Sequence, residues 1–222
     1  MVAEEVETAG RLGGRAIAFV QGDTEGTVDA GTTAANKLVN VDEVVALVGP
    51  TSLSFSGARN VILESGTPMV SPTAGTTALD RADKALLFRT VPSDSLGGQA
   101  IARAATDGRY LGEADAVERP VLMLGNAPAM ISFEEPITRS LEAYGTPLVE
   151  SVVFTPGKAS YRAEVQEALA ADPDAIILVA TPEDSARVMT NAFQAGYDGH
   201  WFVTQDQTNA EFIELAGPEL VE

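Results

Sequence analysis

Short polar side chains follow several apolar segments of this 222-residue sequence, at the point where each segment ends. Residues 49–52 (GPTS) follow VVALV, and residues 71–77 (SPTAGTT) follow PMV. Thr181 follows AIILVA, and Asp206 follows WFVTQ. Hydroxyl groups, free backbone N–H groups and a lone carboxylate are suited to holding a small charged molecule without covalent chemistry.

Motifs for catalysis are absent from the sequence. It has no cysteine, and its one histidine, His200, precedes a predicted strand, at the edge opposite the polar loops. The phosphate-binding loop, the dinucleotide-binding glycine motif and the G-x-S-x-G nucleophile turn are all missing. We therefore predict that the chain has no metal site and no cofactor, that it is not an enzyme, and that His200 lies at the surface.

The charge balance restricts the partners. The sequence holds 32 acidic and 14 basic residues, a formal net charge of −18. Contacts with phosphate groups need clustered lysine and arginine, so we expect no nucleic acid and no anionic lipid surface as a partner. The carboxylates are scattered along the chain, which is typical of a solvated surface, and salt screens their repulsion. We interpret this acidity as a sign of a salt-loving source.

Hydrophobic periodicity predicts an α/β protein with doubly wound parallel sheets. Seven predicted helices alternate with seven short apolar strands. The first residues of the sequence have the pattern of the end of a further helix. The predicted strands are Ala16–Gln21, Val44–Val48, Pro68–Ser71, Val121–Leu124, Leu148–Phe154, Ala175–Ala180 and Trp201–Thr204. The predicted helices are Val28–Leu38, Phe55–Glu64, Leu96–Ala105, Phe133–Ala143, Tyr161–Ala170, Asp184–Ala195 and Ala210–Leu215.

This alternation places the polar loops at the carboxyl ends of the strands, where open α/β sheets bind ligands. Each loop also has a purely structural interpretation. Thr51 or Ser52 would cap the helix that follows, residues 71–77 would form a polar turn, and Asp206 would cap a helix. The pattern alone leaves both interpretations open.

Two long stretches carry a family resemblance. The run VVALVGPTSLSFSGARNVILESGTPMVSPTAGTTALD, followed by LFRTVPSDSLGGQA, resembles the first lobe of type I periplasmic binding proteins of the branched-chain amino-acid (leucine/isoleucine/valine) ABC transporters. The later run PDAIILVATPEDSARVMTNAFQAGYDGHWFVTQD is similar to their second lobe. The resemblance implies a two-lobed clamp that holds a small amino acid or a related polar solute and delivers it to a membrane permease and its ATPase.

The resemblance also implies site residues. Ser52, Thr73, Ala74 and Gly75 match the positions that bind the ligand's carboxylate, with Gly75 in place of the usual threonine and Thr76 or Thr77 as a substitute hydroxyl. Asp206 matches the acidic partner of the ligand's ammonium group. Ala129 and Thr181 stand where relatives carry aromatic residues, so we expect a larger or more polar pocket at Thr181 and doubt leucine specificity.

Relatives extend beyond both ends of this sequence. We expect a first lobe over residues 1–92 that lacks its first strand, and a second lobe over residues 93–222. The first lobe would then be strained, swapped between chains or completed by a partner, which makes a homodimer through this lobe one expectation. The implied location is outside the cytoplasm, with the full-length form anchored to the membrane, although no signal peptide is visible.

Two alternatives remain open from the sequence. The same fold serves as the ligand-binding domain of receptors, so a sensor with a signalling partner is the first. An enzyme on a flavodoxin-like sheet is the second, and it lacks a supporting motif. The sequence does not identify the ligand.

Overall fold

The computed structural model describes residues 2–10, 13–80, 85–108 and 117–217. Within these ranges, strands and helices alternate and build two separate sheets. The first sheet has the strand order β1-β2-β3, and the second has the order β5-β4-β6-β7. All neighbouring strands are parallel, which confirms the predicted α/β class.

The described residues form nine α-helices and seven strands. The helices are α1 (Val2–Thr8), α2 (Val28–Asn36), α3 (Phe55–Ser65), α4 (Asp94–Thr106), α5 (Pro128–Ile131), α6 (Glu134–Tyr144), α7 (Arg162–Ala170), α8 (Pro182–Gln194) and α9 (Ala210–Ala216). The strands are β1 (Leu47–Val48), β2 (Met69–Ser71), β3 (Leu87–Arg89), β4 (Pro120–Gly125), β5 (Glu150–Phe154), β6 (Ala175–Val179) and β7 (His200–Val203). A π-helical turn, Lys37–Val41, continues α2, and 3₁₀ turns cover Thr77–Leu79 and Gln205–Gln207.

The second sheet is covered by helices on both faces. Every residue of β4 and β6 is buried, as expected of central parallel strands. One face packs on α4 and α6, and the other packs on α7, α8 and α9. The edge strand β5 alternates exposed and buried residues near its end, in agreement with its alternating sequence. The order β5-β4-β6-β7 is that of a doubly wound sheet.

The first sheet is smaller and packs on α2 and α3 through a compact apolar core. Phe55, Ile62 and Met69 lie at the centre of this core and are almost completely buried. Gly31 permits the two helices to approach closely, because a Cβ atom at that position would lie 2.6 Å from the carbonyl oxygen of Ser54.

One edge of the first sheet is open. A groove of about 980 Å³ separates residues 17–23 from residues 42–48, which include β1. Phe19, Val45 and Val48 along this groove are 75%, 91% and 75% exposed. The N–H groups of Leu47 and Gly49 donate to the carbonyl oxygens of Pro68 and Val70 on the β2 side. On its other side, β1 has no neighbouring strand in the described part of the chain.

The predicted strand Ala16–Gln21 is wrong: these residues belong to no strand. An apolar segment becomes a strand only where a neighbouring strand pairs with its backbone N–H and C=O groups. The groove lies between residues 17–23 and β1, so the two segments do not pair. The structure also adds β3, which is not among the strands predicted from the sequence. The other strands and helices lie where they were predicted, with ends shifted by a few residues. No helix in the described ranges is long and apolar enough to cross a bilayer.

Candidate functional site

The predicted site residues lie beyond the carboxyl ends of the strands. Ser52 follows β1, and residues 73–76, which we call the binding turn, follow β2. Thr181 follows β6, and Asp206 lies in the 3₁₀ turn after β7. The parallel arrangement therefore collects the loops of each sheet at one edge.

Serine side chains shape the binding turn. The N–H of Thr76 donates to Oγ of Ser52 over 3.2 Å. The hydroxyl of Ser71, at the end of β2, accepts from the N–H groups of Thr73 and Ala74 and donates to the carbonyl of Pro50 over 2.6 Å. These bonds join the loop after β1 to the loop after β2, so Ser52 and the binding turn form one unit.

Ser52 does not cap α3. The helix begins only at Phe55, after Ser54, and the oxygen of Ser52 faces the binding turn instead. The interpretation of Thr51 or Ser52 as a helix cap was therefore wrong, because two further residues, Leu53 and Ser54, separate Ser52 from the helix. Its oxygen accepts one hydrogen bond, and its own O–H proton has no acceptor among the described residues.

The guanidinium group of Arg89 is hydrogen-bonded to the backbone of the binding turn. Its Nη1 donates to the carbonyl oxygens of Gly75 and Thr76 over 3.0 and 3.1 Å. Its Nη2 forms an ion pair with Asp80, which also accepts hydrogen bonds from the hydroxyls of Ser93 and Ser95. Burial opposes ionisation of Asp80, but these hydrogen bonds together outweigh it and lower the pKa of Asp80.

Asp94, the first residue of α4, is 7% exposed and reaches both sheets. Its N–H donates to the carbonyl of Gly75 over 2.8 Å, and its carboxylate accepts from the hydroxyl of Ser132, which follows α5. The pKa of Asp94 is raised, mainly because the carboxyl group is buried. The hydrogen bond from Ser132 and the charge of Arg89 oppose this rise, and the negative charges of Asp80 and Asp206 add to it. The charge of Asp206 is the last of these contributions to the pKa of Asp94.

Asp206 is exposed, and a buried neighbour fixes its loop. The amide nitrogen of Gln207 donates to the carbonyl of Ala180 and the hydroxyl of Ser185, and its oxygen accepts from Thr204. The carboxylate of Asp206 has no hydrogen-bond partner among the described residues, whereas its carbonyl accepts from Asn209. Asn209 caps α9, so Asp206 does not serve as that helix cap.

Thr181 caps α8. Its Oγ1 accepts from the N–H of Asp184 over 3.3 Å, and its side chain is half-buried. Asp184 in turn binds the loop after β5, because it accepts from the hydroxyl of Tyr161 over 2.6 Å and from the N–H of Gly157. Burial and the hydrogen bond to Asp184 raise the pKa of Tyr161 to about 12, so this phenol stays protonated.

A cavity of about 220 Å³ lies beside this edge of the first sheet, between β1 and helices α2 and α3. Thr24, Thr51 and Thr73 are among the residues that line it, and no charged residue does. A zwitterion needs charged or strongly polar partners once it leaves water, so this cavity is a poor match for one.

The structure joins Ser52, Thr73, Ala74, Gly75 and Thr76 into one unit through direct hydrogen bonds. It links Asp206 to that unit only electrostatically, through Asp94, and it places Thr181 in a cap. Arg89, Asp94 and Ser132 were not among the residues predicted from the sequence. A signal was present for the first two, since RTVPSD at residues 89–94 places a basic and an acidic residue a short distance after the binding turn.

The chain matches a family model described as periplasmic binding protein over residues 1–220. It is 26% identical over 205 residues to the chemotactic signal transduction system substrate-binding protein BasB of Halobacterium salinarum. This alignment covers 88% of this chain and 47% of BasB. The chain thus spans about half the length of this curated relative.

Two solved structures show the same fold. The leucine-binding protein LivK of Thermotoga maritima superposes with a TM-score of 0.80 at 23% identity, covering 100% of this chain and 63% of LivK. The branched-chain amino-acid transporter substrate-binding protein LivJ of Streptococcus pneumoniae, in complex with isoleucine, gives a TM-score of 0.77 at 24% identity. That match covers 98% of this chain and 60% of LivJ.

Proposed function

This chain belongs to the periplasmic binding protein family, and from that premise we propose that it is a solute-binding protein of an ABC transporter. It would bind a small amino acid or a related polar solute between a first lobe, residues 1–92, and a second lobe, residues 93–222. Residues 1, 11–12, 81–84, 109–116 and 218–222 of these lobes lie outside the described ranges. The similarity to LivK and LivJ supports an amino-acid ligand.

We place the ligand's carboxylate at Ser52 and the binding turn. The hydrogen bond from Thr76 to Ser52 is the observation that carries this assignment, because it leaves the O–H proton of Ser52 available for a ligand oxygen. The N–H of Gly75 also has no acceptor within the described residues. Two such donors are suited to a carboxylate.

We place the ligand's ammonium group at Asp206. Its exposed carboxylate has no partner in the described ranges, and Gln207 fixes the loop that presents it. The nearby carboxylate of Asp94 adds negative charge to the same side. A lone carboxylate beside a fixed loop would gain an ion pair when a cation binds.

A calorimetric and thermal-shift screen of amino acids at high salt tests this function. We expect at least one amino acid to raise the melting temperature by mass action. Ser52→Ala should then weaken binding of that amino acid by about 1–3 kcal/mol, the cost of losing a hydrogen bond to a charged group. Asp206→Asn should weaken binding of the zwitterion but not of the matching carboxylic acid without an amino group.

Two variants serve as matched controls. Ser56→Ala removes an exposed serine from α3, and Asp198→Asn removes an exposed carboxylate from the opposite edge of the second sheet. Both should leave the affinity unchanged. The proposal fails if no amino acid binds, or if the controls weaken binding as much as Ser52→Ala and Asp206→Asn do.

A sensor is the second candidate, and the similarity to BasB, a substrate-binding protein of a chemotactic system, favours it. The same ligand site would serve either role. Affinity purification of the full-length protein from its native membrane separates them, since a transport role predicts recovery of a permease and an ATPase, and a sensor role predicts a signal transducer.

The remaining features of the proposal follow from family membership and charge. The protein would act outside the cytoplasm, with its full-length form anchored to the membrane, and it would have no enzymatic activity. The net charge of −18 supports adaptation to high salt. These assignments do not depend on the identity of the ligand.

The open edge of the first sheet is the proposed contact for a homodimer. Phe19, Val45 and Val48 expose apolar side chains along the groove next to the unpaired edge of β1. A second copy presents the same apolar edge, and a two-fold dimer brings identical surfaces together.

A further inference from the structure

We infer that Asp94 is a positioning residue that fixes the binding turn against the second lobe, and that residue 75 is a glycine because the Asp94 carboxylate fills the space of a side chain there. The inference deepens the proposed function and rests on it for the role of the binding turn. The contacts that carry it are independent of any ligand.

The backbone of Asp94 holds the first lobe. Its N–H donates to the carbonyl of Gly75 over 2.8 Å, and the same carbonyl accepts from Arg89. The turn is therefore held by two donors at one oxygen. Any displacement of the start of α4 would move the carbonyl of Gly75, and with it the adjoining N–H of Thr76 that reaches Ser52.

The side chain of Asp94 holds the second lobe. Its Oδ2 accepts from the hydroxyl of Ser132. Ser132 follows α5, and its Oγ also lies 2.8 Å from the carbonyl oxygen of Ala129, so it is anchored in the loop after β4. One residue thus connects the turn after β2 in the first sheet with the loop after β4 in the second.

Gly75 completes the arrangement. A Cβ atom on Gly75 would overlap Oδ1 of Asp94 and lie 3.0 Å from its Cγ. The carboxylate has little freedom to withdraw, because Asp94 is only 7% exposed and its Oδ2 accepts a hydrogen bond from Ser132. A side chain at residue 75 and the observed position of Asp94 therefore exclude each other.

This exclusion explains the departure of residue 75 from the threonine that the family resemblance led us to expect. In this chain the space of that side chain belongs to Asp94. The turn itself carries the hydroxyls of Thr73 and Thr76, of which Thr76 accepts from the N–H of Ala78, and Ser52 is bonded to the turn. We therefore assign hydrogen bonding to the ligand to Ser52, and positioning of the turn to Asp94.

Hydrogen exchange of the ligand-free chain tests the inference directly. Asp94→Ala should raise the exchange rates of the amides of residues 73–77 by about tenfold or more, while the amides of β4 and β6 keep their protection. Asp94→Asn keeps an oxygen of the same shape for Ser132 and should retain near wild-type rates. Ser132→Ala, which removes only the second-lobe partner, should give an intermediate increase.

A double-mutant cycle measures the steric coupling. Gly75→Ala should accelerate exchange in the turn about tenfold in the wild-type background and add almost nothing in the Asp94→Ala background, because the obstructing carboxylate is gone. Ser56→Ala is the matched control and should leave all these rates unchanged.

Independent effects of Gly75→Ala and Asp94→Ala would overturn the inference. An Asp94→Asn variant with turn amides as fast as those of Asp94→Ala would also overturn it, since charge and not position would then be decisive. The amino-acid screen is a separate readout: a chain that binds no amino acid but shows the coupling refutes the proposed function and leaves the positioning role intact.

Discussion

Asp80 shows how single side chains stabilise the region between the two sheets. It accepts hydrogen bonds from Ser93 and Ser95 and pairs with Arg89, whose other nitrogen holds the binding turn. One carboxylate therefore orders both the start of α4 and the guanidinium beneath the turn. Three donors around one partly buried carboxylate favour its ionised form.

We predict that Asp80→Asn lowers the free energy of unfolding by about 1–3 kcal/mol at neutral pH, the usual range for hydrogen bonds to a charged group. The pKa of Asp80 is lowered in the folded chain, so its contribution is complete above the usual aspartate pKa of about 4 and is lost as the pH falls through the folded value. The difference between wild type and variant should therefore shrink from pH 6 to pH 3. Urea unfolding at several pH values measures it.

Glu135→Gln is the control for this prediction. Glu135 pairs with Arg139 on the surface of α6, where both side chains are more than 60% exposed. Such surface pairs contribute about 0–1 kcal/mol. A constant difference between wild type and Asp80→Asn across this pH range would contradict the assigned role of the carboxylate.

Among the elements, β1 determines how the first sheet behaves. It contains two residues and pairs with β2 along one edge. Its other edge borders the groove. An unpaired apolar strand edge is a common site of association between chains.

We predict that the chain forms dimers at micromolar concentration and that Val45→Lys shifts it toward monomers, because a charge at a 91% exposed position on the groove would be buried in the dimer. Sedimentation velocity over a range of concentrations measures this. Phe193→Lys is the control, since Phe193 is 58% exposed on α8, which packs on the second sheet, and should not affect association. A wild-type chain that stays monomeric, or equal dimerisation of both variants, would remove the groove from consideration.

At the scale of the whole molecule, charge is the dominant property. A formal net charge of −18 on 222 residues produces repulsion that compaction increases. The Debye length falls from about 10 Å at 0.1 M salt to about 3 Å at 1 M, so salt removes most of this repulsion between exposed groups.

We predict that the melting temperature rises between 0.1 M and 2 M potassium chloride, by about 2–4 °C for each 1 kcal/mol of repulsion removed. Sucrose serves as the comparison, because it stabilises by exclusion from the surface without screening charge. A variant with several exposed carboxylates changed to amides should respond less to salt and equally to sucrose. Equal salt responses of this variant and wild type would contradict a charge origin.

The second sheet was predictable from local pattern, whereas the first was only partly so. The buried strands of the second sheet, such as AIILV of β6, are continuous apolar runs. β6 pairs with a strand on each side. AIAFVQ at residues 16–21 has the same character and forms no strand, because no partner strand lies beside it among the residues that the structure describes. Three-residue β3 carries too few residues for a periodic signal.

The sequence by itself determined the fold class, the absence of known catalytic motifs, and the edge at which polar loops gather, because apolar period and chain direction are local properties. Only the tertiary structure decided that Ser52 faces the binding turn, that Arg89 and Asp80 sit beneath it, and that Asp94 reaches from Gly75 to Ser132. These contacts join residues up to 38 positions apart. Which side chain occupies a shared space is set by packing from several elements at once, and no single segment of the sequence contains that information.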